Sequence, residues 1–251
     1  MKIVMLVGQG ISSRIVYNGL VKNNKIDLVI EETSVSTKVF LKRRLKKLGF
    51  LKVVGQILFM IHNKFLFLLS RKRISEIKKL YGLSDKKYSK ENFKKVVSVN
   101  SNETIKILEE ISPDLIIVNG TRIIANKVLK NIKSTFINTH VGITPKYRGV
   151  HGAYWSLVNN DIDNCGVTVH LVDAGIDTGG VLYQDIIEVT KKDNFNTYPY
   201  LQIAKAIPLL EQTIEDFINN ELNEEPKKLE SNLYTHPTLY QYLINRIKGV
   251  K

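Results

Sequence analysis

Residues 113–149 read PDLIIVNGTRIIANKVLKNIKSTFINTHVGITPKYRG, and their alternation decides the fold. Leu115–Val118 is a short apolar run that fits a buried strand, Ile123–Ile132 has helical spacing, and Thr135–Asn138 predicts the next strand. Asn138 and His140 lie two residues apart at the end of that strand. Alternate strand residues share a face, so both point one way and Thr139 the other. The chain then breaks into glycine, proline and two cations, as a loop does. A polar pair at a strand end that feeds a loop is where open α/β sheets carry their chemistry.

The same rhythm extends in both directions. Lys2–Val7 and Ile26–Ile30 read as strands with a helix from Gly8 to about Val21 between them. Val96–Val99, a helix near Glu103–Ile111, a helix at His151–Val158 and strands at Gly166–Val172 and Val181–Val189 follow. A last helix, Tyr198 to Leu222, carries Leu201, Ala204, Ile207, Leu210, Ile214 and Phe217 on one stripe, with Pro208 expected to kink it. Strands alternating with helices predict a Rossmann-like α/β fold: an open, mostly parallel sheet with helices on both faces. The opening GQGISS is close to a dinucleotide fingerprint, but Ser13 replaces its third glycine and Glu31 and Glu32 come late. A tight strand–helix turn accounts for both glycines.

Composition narrows the rest. The chain has 251 residues, of which 43% are hydrophobic and 24% charged, as in a globular protein. The single cysteine, Cys165, excludes an internal disulfide and a cysteine-based zinc site and suits a reducing compartment. MKIVMLVGQG reads as a first strand rather than a signal peptide, so a cytoplasmic protein is expected. The net charge of +13 comes almost wholly from residues 38–73, which hold eleven cations and no acid. Apolar residues at Leu45, Leu48, Leu51, Val54, Leu58, Ile61, Phe65 and Leu68 make that segment helical. Lys52, Gln56, His62 and Asn63 interrupt it, so it is expected not to span a bilayer. It reads as a basic helical insertion, about 38–95, that packs on the domain or on a second copy to form a homodimer, or rests on an anionic membrane surface. Residues 1–222 read as one catalytic domain and 223–251 as a short tail.

A further stretch completes the constellation. GVTVHLVDAGIDTGGVLYQ, 166–184, is a strand, an acidic glycine turn holding Asp173, Gly175 and Asp177, and a second strand. The Asn–x–His strand end, the P-x-Y-R-G loop and the D-x-G-x-D-T-G turn, in this order, resemble the formyltransferase family over about 113–190. That family includes glycinamide ribonucleotide, methionyl-tRNA and amino-sugar formyltransferases. The resemblance implies transfer of a formyl group from N10-formyltetrahydrofolate to an amine, with Asn138, His140 and Asp177 catalytic and no metal. The chemistry fits: an amine attacking a formyl carbon creates an oxyanion that needs hydrogen-bond donors, here the Asn138 amide and a charged His140. A neighbouring carboxylate favours the charged imidazole, and Asp177 could also accept the amine's proton. Singly, each residue has a plainer reading: a turn cap, a satisfied buried histidine and a turn-stabilising carboxylate. A metal site of Asn138, His140 and His170 is a rival arrangement with poor spacing.

The resemblance also implies that the folate ring meets the main chain of Arg122, Ile123 and Ile124 and the turn containing Asp173 and Gly175. Ile123 and Ile124 could instead be ordinary core. For the acceptor, stand-alone enzymes acting on nucleotide-linked amino sugars are most similar, with Gly10, Ser13, Lys146, Tyr147, Arg148 and Trp155 as candidate substrate residues. Tyr147 and Trp155 could equally be core aromatics and Arg148 a structural partner. The short tail counts against a tRNA-binding domain, so no nucleic-acid partner is expected. The alternatives are a glycinamide ribonucleotide or methionyl-tRNA type enzyme, and a non-catalytic membrane- or polyanion-binding module.

Overall fold

The structure, a computed structural model, describes residues 1–226 and 228–251. In chain order the elements are β1 (Ile3–Val7), α1 (Ile11–Leu20), β2 (Leu28–Glu32), α2 (Thr37–Leu48), α3 (Phe50–Leu80), β3 (Phe93–Val96), α4 (Asn102–Ile111), β4 (Leu115–Asn119) and α5 (Asn126–Asn131). They continue as β5 (Thr135–His140), β6 (Arg148–Gly149), α6 (Gly152–Val158), β7 (Gly166–Leu171), β8 (Val181–Ile186), α7 (Tyr198–Asn219), β9 (Leu233–Tyr234) and α8 (Leu239–Ile247). Seven strands form one sheet in the order β3-β2-β1-β4-β5-β7-β8. The pairs from β3 through β5 are parallel, while β5–β7 and β7–β8 are antiparallel. The expected open, mostly parallel α/β sheet is therefore present.

Strand alternation builds two cores. Ile3, Met5, Val7, Leu115, Ile117 and Ile137 face one layer with α1 and α7, and Val4, Leu6, Ile116, Val118 and Phe136 face the other with α4 and α5. Burial on both faces explains why β1 and β4 read as unbroken apolar runs. Asn138 and His140 share the parity of Phe136, so they emerge on that second face just where the strand ends.

Several elements differ from expectation. The strand expected at 96–99 lies at Phe93–Val96, where exposed Lys94 and Lys95 occupy a sheet edge and hide the apolar signal. α5 is confined to Asn126–Asn131, leaving Ile123 and Ile124 in a loop. α7, with Pro208 inside it, ends at Asn219 rather than at the expected Leu222.

The basic insertion is two helices with Gly49 between them at φ +80°. Contrary to expectation, α3 is long and apolar enough to cross a membrane by length and composition alone. Its inner face is nevertheless packed on protein through Val53, Phe59, Ile74 and Ile77. Polar contacts reinforce the seat: Gln56 Nε2 donates to the His236 carbonyl at 2.6 Å, and Arg73 Nε meets Asp193 Oδ1 at 2.8 Å. The segment read as a tail folds back over this helix. Tyr242 of α8 is fully buried beside Phe59 and Phe195, with ring centroids 5.0 and 6.2 Å away. Strand β9 pairs with β6, the strand inside the loop that follows Asn138 and His140.

Candidate active site

The site lies at the C-terminal ends of β4 and β5, where a cavity of about 340 Å³ opens. A wider cleft of about 690 Å³ sits at the N-terminal ends of β4 and β5 and is lined by Pro113, Ser134 and neighbours. Only the first collects the candidate chemistry: Arg122, Ile123, Ile124, Asn138, His140, Asp173, Gly175 and Asp177 all line it, together with His170.

His140 is buried, and both its ring nitrogens meet oxygen. Nε2 donates to the Tyr147 carbonyl at 2.7 Å, and Nδ1 lies 3.2 Å from Asp177 Oδ2. A carbonyl can only accept, so Nε2 carries a proton. Asp177 Oδ2 also accepts from the Gly149 amide at 2.9 Å. Its backbone is left-handed, φ +51°, a conformation that aspartate tolerates better than most residues. Asp177 lines the cavity, and its Oδ1 lies 3.9 Å from His170 Nε2. The expectation that His140 aims an N–H at an oxyanion is therefore not met in this conformation, because both nitrogens are engaged by protein.

His170 is the residue that sequence reasoning missed in this role, having weighed it only as a metal ligand. It sits opposite Asn138 in the antiparallel register of β5 and β7. His170 Nδ1 donates to the Leu171 carbonyl at 2.6 Å, leaving Nε2 to accept from the Asn138 amide at 3.1 Å. Burial pushes the His170 pKa below the usual histidine range, which suits the neutral ring this arrangement needs. The Asn138 amide has two N–H donors, so one is held by His170 and the other remains for the cavity. The available signal was Thr168 and His170 alternating within an apolar strand. Among the described residues no cluster of three or more His, Cys, Asp or Glu could hold a metal ion.

The wall from Thr121 to Ile124 is fixed from outside. Glu32, buried at the end of β2, accepts from the Arg122 amide at 2.6 Å and from the Val99 amide at 3.1 Å. Arg122 Nε lies 2.6 Å from Glu32 Oε2, although its N–H is not aimed along that contact. Asn100 clasps the other end, donating to the Ile123 carbonyl at 2.8 Å and accepting from the Ala125 amide at 2.7 Å. Ile124 turns its side chain into the core, whereas Ile123 is exposed at the cavity. Opposite, Asp173 accepts from the Gly175 amide and the Thr178 hydroxyl, which closes the turn. Main-chain edges with Val141, Val150, Val172 and Ile176 around them suit a flat heteroaromatic ring.

The candidate substrate residues fare differently. Gly10 is exposed at the start of α1. Ser13 is fully buried and donates to Asn119 Oδ1 at 2.9 Å, so it ties α1 to β4 rather than facing a ligand. Lys146 pairs with Asp161 at 2.6 Å, and the buried Tyr147 donates its hydroxyl to the same carboxylate at 2.7 Å. Arg148 donates to the Ile176 carbonyl at 3.1 Å, bracing the acidic turn. Trp155 donates Nε1–H to the Thr235 carbonyl at 3.0 Å and stacks on Tyr234. None of these four lines the cavity; the plainer structural readings account for their contacts.

Residues 55–204 match the formyl transferase family, and the chain belongs to it. Methionyl-tRNA formyltransferase of Clostridium perfringens is 33% identical over 136 residues, which cover 54% of this chain and 44% of that protein. GDP-perosamine N-formyltransferase of Brucella melitensis is 32% identical over 118 residues, covering 47% of this chain and 45% of that one. The chain thus spans under half the length of these curated relatives. A sugar N-formyltransferase from Shewanella sp. FDAARGOS_354 superposes with a TM-score of 0.57 at 17% identity, covering 93% of this chain and 76% of that one, and so shares the fold.

Proposed function

We propose that the chain transfers a formyl group from N10-formyltetrahydrofolate to the amine of a nucleotide-linked amino sugar. The observation that carries this reading is the meeting of Asn138, His140 and Asp177 at one cavity, with His170 holding the amide. The main-chain walls at 121–124 and 173–177 would hold the folate, which supplies the formyl carbon as electrophile. Asn138 presents its second N–H to the oxygen that gains charge as the amine attacks. One such donor is typically worth about 3–4 kcal/mol of barrier. Asp177, through Oδ1, takes the proton the amine sheds and can return it to the departing nitrogen. His140 holds Asp177 in place instead of donating to the oxyanion. The amino-sugar acceptor is supported by the Brucella relative and the Shewanella fold match.

A methionyl-tRNA acceptor is the second reading, favoured by the Clostridium relative. Purified protein supplied with N10-formyltetrahydrofolate and, separately, nucleotide-linked amino sugars, initiator methionyl-tRNA and glycinamide ribonucleotide distinguishes them by product mass. Formylated sugar is expected. Formylated tRNA alone would reassign the acceptor, and an Asn138→Ala variant working at the parent rate would remove the mechanism.

A further inference from the structure

The outer surface of the basic insertion has no use in the reaction just described. Opposite the packed side of α3, Leu51, Leu58, Ile61, Phe65, Leu68 and Leu69 form a continuous apolar face, with Leu51 85%, Phe65 65% and Leu69 81% exposed. Steps of three, four and seven residues, with Leu69 four beyond Phe65, keep them on one side of the helix. Helix α2 lies entirely on the surface: it has no buried residue and adds exposed Val39, Phe40 and Leu45. Around these apolar groups stand the cations of 38–73. Among the described residues only Arg73 of the eleven is in an ion pair. A contiguous apolar patch of this kind marks an interaction surface.

Charge decides what covers it. A second copy would bring eleven more cations and no acid into the same contact, whereas paired helices match opposite charges beside their apolar seam. Nucleic acid would suit the cations but leave Leu, Ile and Phe facing phosphate, although such interfaces are polar. A spanning role would strip α3 from polar anchors along its inner face. These are Gln56 on the His236 carbonyl, the mutual Asn63–Asn196 amide contacts at 3.1 and 2.9 Å, Ser70 on Asn194 at 3.1 Å, and Arg73 on Asp193. A helix anchored on one side, apolar on the other and ringed by unpaired cations fits the plane of an anionic bilayer.

We propose that α2 and α3 form a docking surface for anionic phospholipid bilayers, with the apolar face of α3 seated among the acyl chains and the cations on the headgroups. The surface adjoins the site. The loop that launches α2 is held by Ser34 on Gln9 at 2.6 Å and by Arg122 on the Thr33 carbonyl at 2.9 Å, and Arg122 lines the catalytic cavity. Docking therefore sets the cavity beside the membrane, whichever amine it uses.

Flotation of the full chain with vesicles of phosphatidylcholine alone, and of phosphatidylcholine with phosphatidylglycerol, tests this without any turnover assay. Binding is expected only with phosphatidylglycerol and should weaken with salt. Each charge removed in Lys42→Gln, Arg43→Gln and Lys46→Gln should weaken it about fivefold, the equivalent of about 1 kcal/mol per cation near an anionic surface. A Leu58→Ser/Phe65→Ser double variant should lose flotation while keeping its melting temperature, because both side chains are exposed. Equal binding to neutral vesicles, no binding to either, or unchanged binding by the double variant would overturn the proposal. So would an absence of flotation combined with a stable dimer in sedimentation that the double variant dissociates, or with tight tRNA binding.

Discussion

Asn138 and His170 face each other across β5 and β7, and the amide of one donates to the ring nitrogen of the other at 3.1 Å. The Leu171 carbonyl fixes the ring's tautomer, so His170 can only accept at that nitrogen. The asparagine, which lines the cavity, is thereby held with one of its two hydrogens spent on His170.

His170→Ala should leave the fold intact and lower kcat for formyl transfer by about 100-fold, as a misplaced catalytic group does. Folate KM should move far less. His170→Gln, which returns an acceptor, should recover part of the loss. Steady-state kinetics beside a melting curve checks both, and a His170→Ala enzyme with unaltered kcat would deny it this positioning role.

Glu32 acts from behind the opposite wall. Glu32→Gln removes the charge that holds the Arg122 amide and guanidinium, so the 121–124 wall should loosen. A rise in folate KM of roughly tenfold or more is expected with kcat little changed, since an interaction with a charged group is worth about 1.5–3 kcal/mol. Equal losses in kcat would instead mean that Glu32 acts on the transition state.

His151 and His236 form a second, separate pair, Nε2 to Nδ1 at 2.9 Å, against the Phe195 ring and near Arg44. Burial, with the neighbouring cation adding to it, lowers their pKa values to about 3 and about 4. Unfolded histidines titrate near 6.5, so below that pH the unfolded chain binds protons that the folded chain refuses. Stability should therefore fall as pH drops from about 6.5 towards 4, by up to about 1.4 kcal/mol per pH unit for each ring. Denaturant unfolding across that range measures the slope, and His236→Gln should flatten it.

Gly149 has φ +98°, and a Cβ there would stand 2.3 Å from the Tyr234 carbonyl oxygen. Gly149→Ala should push β6 away from β9 and disturb the amide that Asp177 accepts from. A loss of about 2 kcal/mol, or about 4–8 °C in melting temperature, is expected together with reduced turnover. Unchanged values in both measurements would mean the two strands are not coupled to the site.

The parts legible in the sequence were those with a period. Alternating apolar strands and helices predicted the sheet; Asn138 and His140 stood out as polar residues closing an apolar strand, whereas Asp177, inside a turn, was carried by the resemblance of three ordered motifs. His170 also alternates with Thr168 in an apolar strand, but its pairing with Asn138 depends on an antiparallel register that no local pattern encodes. Tyr147 and Trp155 stayed open between two readings for a related reason: an aromatic side chain near a catalytic loop looks the same in sequence whether it faces a ligand or, as here, stacks on Tyr234. Glu32 was noticed as a misplaced fingerprint acid; its partners, Arg122 and Val99, are far along the chain. The closing segment, read as a tail, did carry a helix signal, Thr238 and Gln241 forming a capping box ahead of an apolar stripe; that Tyr242 joins the core depends on contacts with Phe59 and Phe195 far along the chain.

The pairing of β6 with β9 ties residues 148–149 to residues 233–234. As the chain leaves the ribosome, Asn138, His140 and Asp177 are all made well before the strand that braces their loop. A nascent chain halted short of Tyr234 would carry every reactive side chain and no finished cleft, so competence to bind ligand arrives late in synthesis.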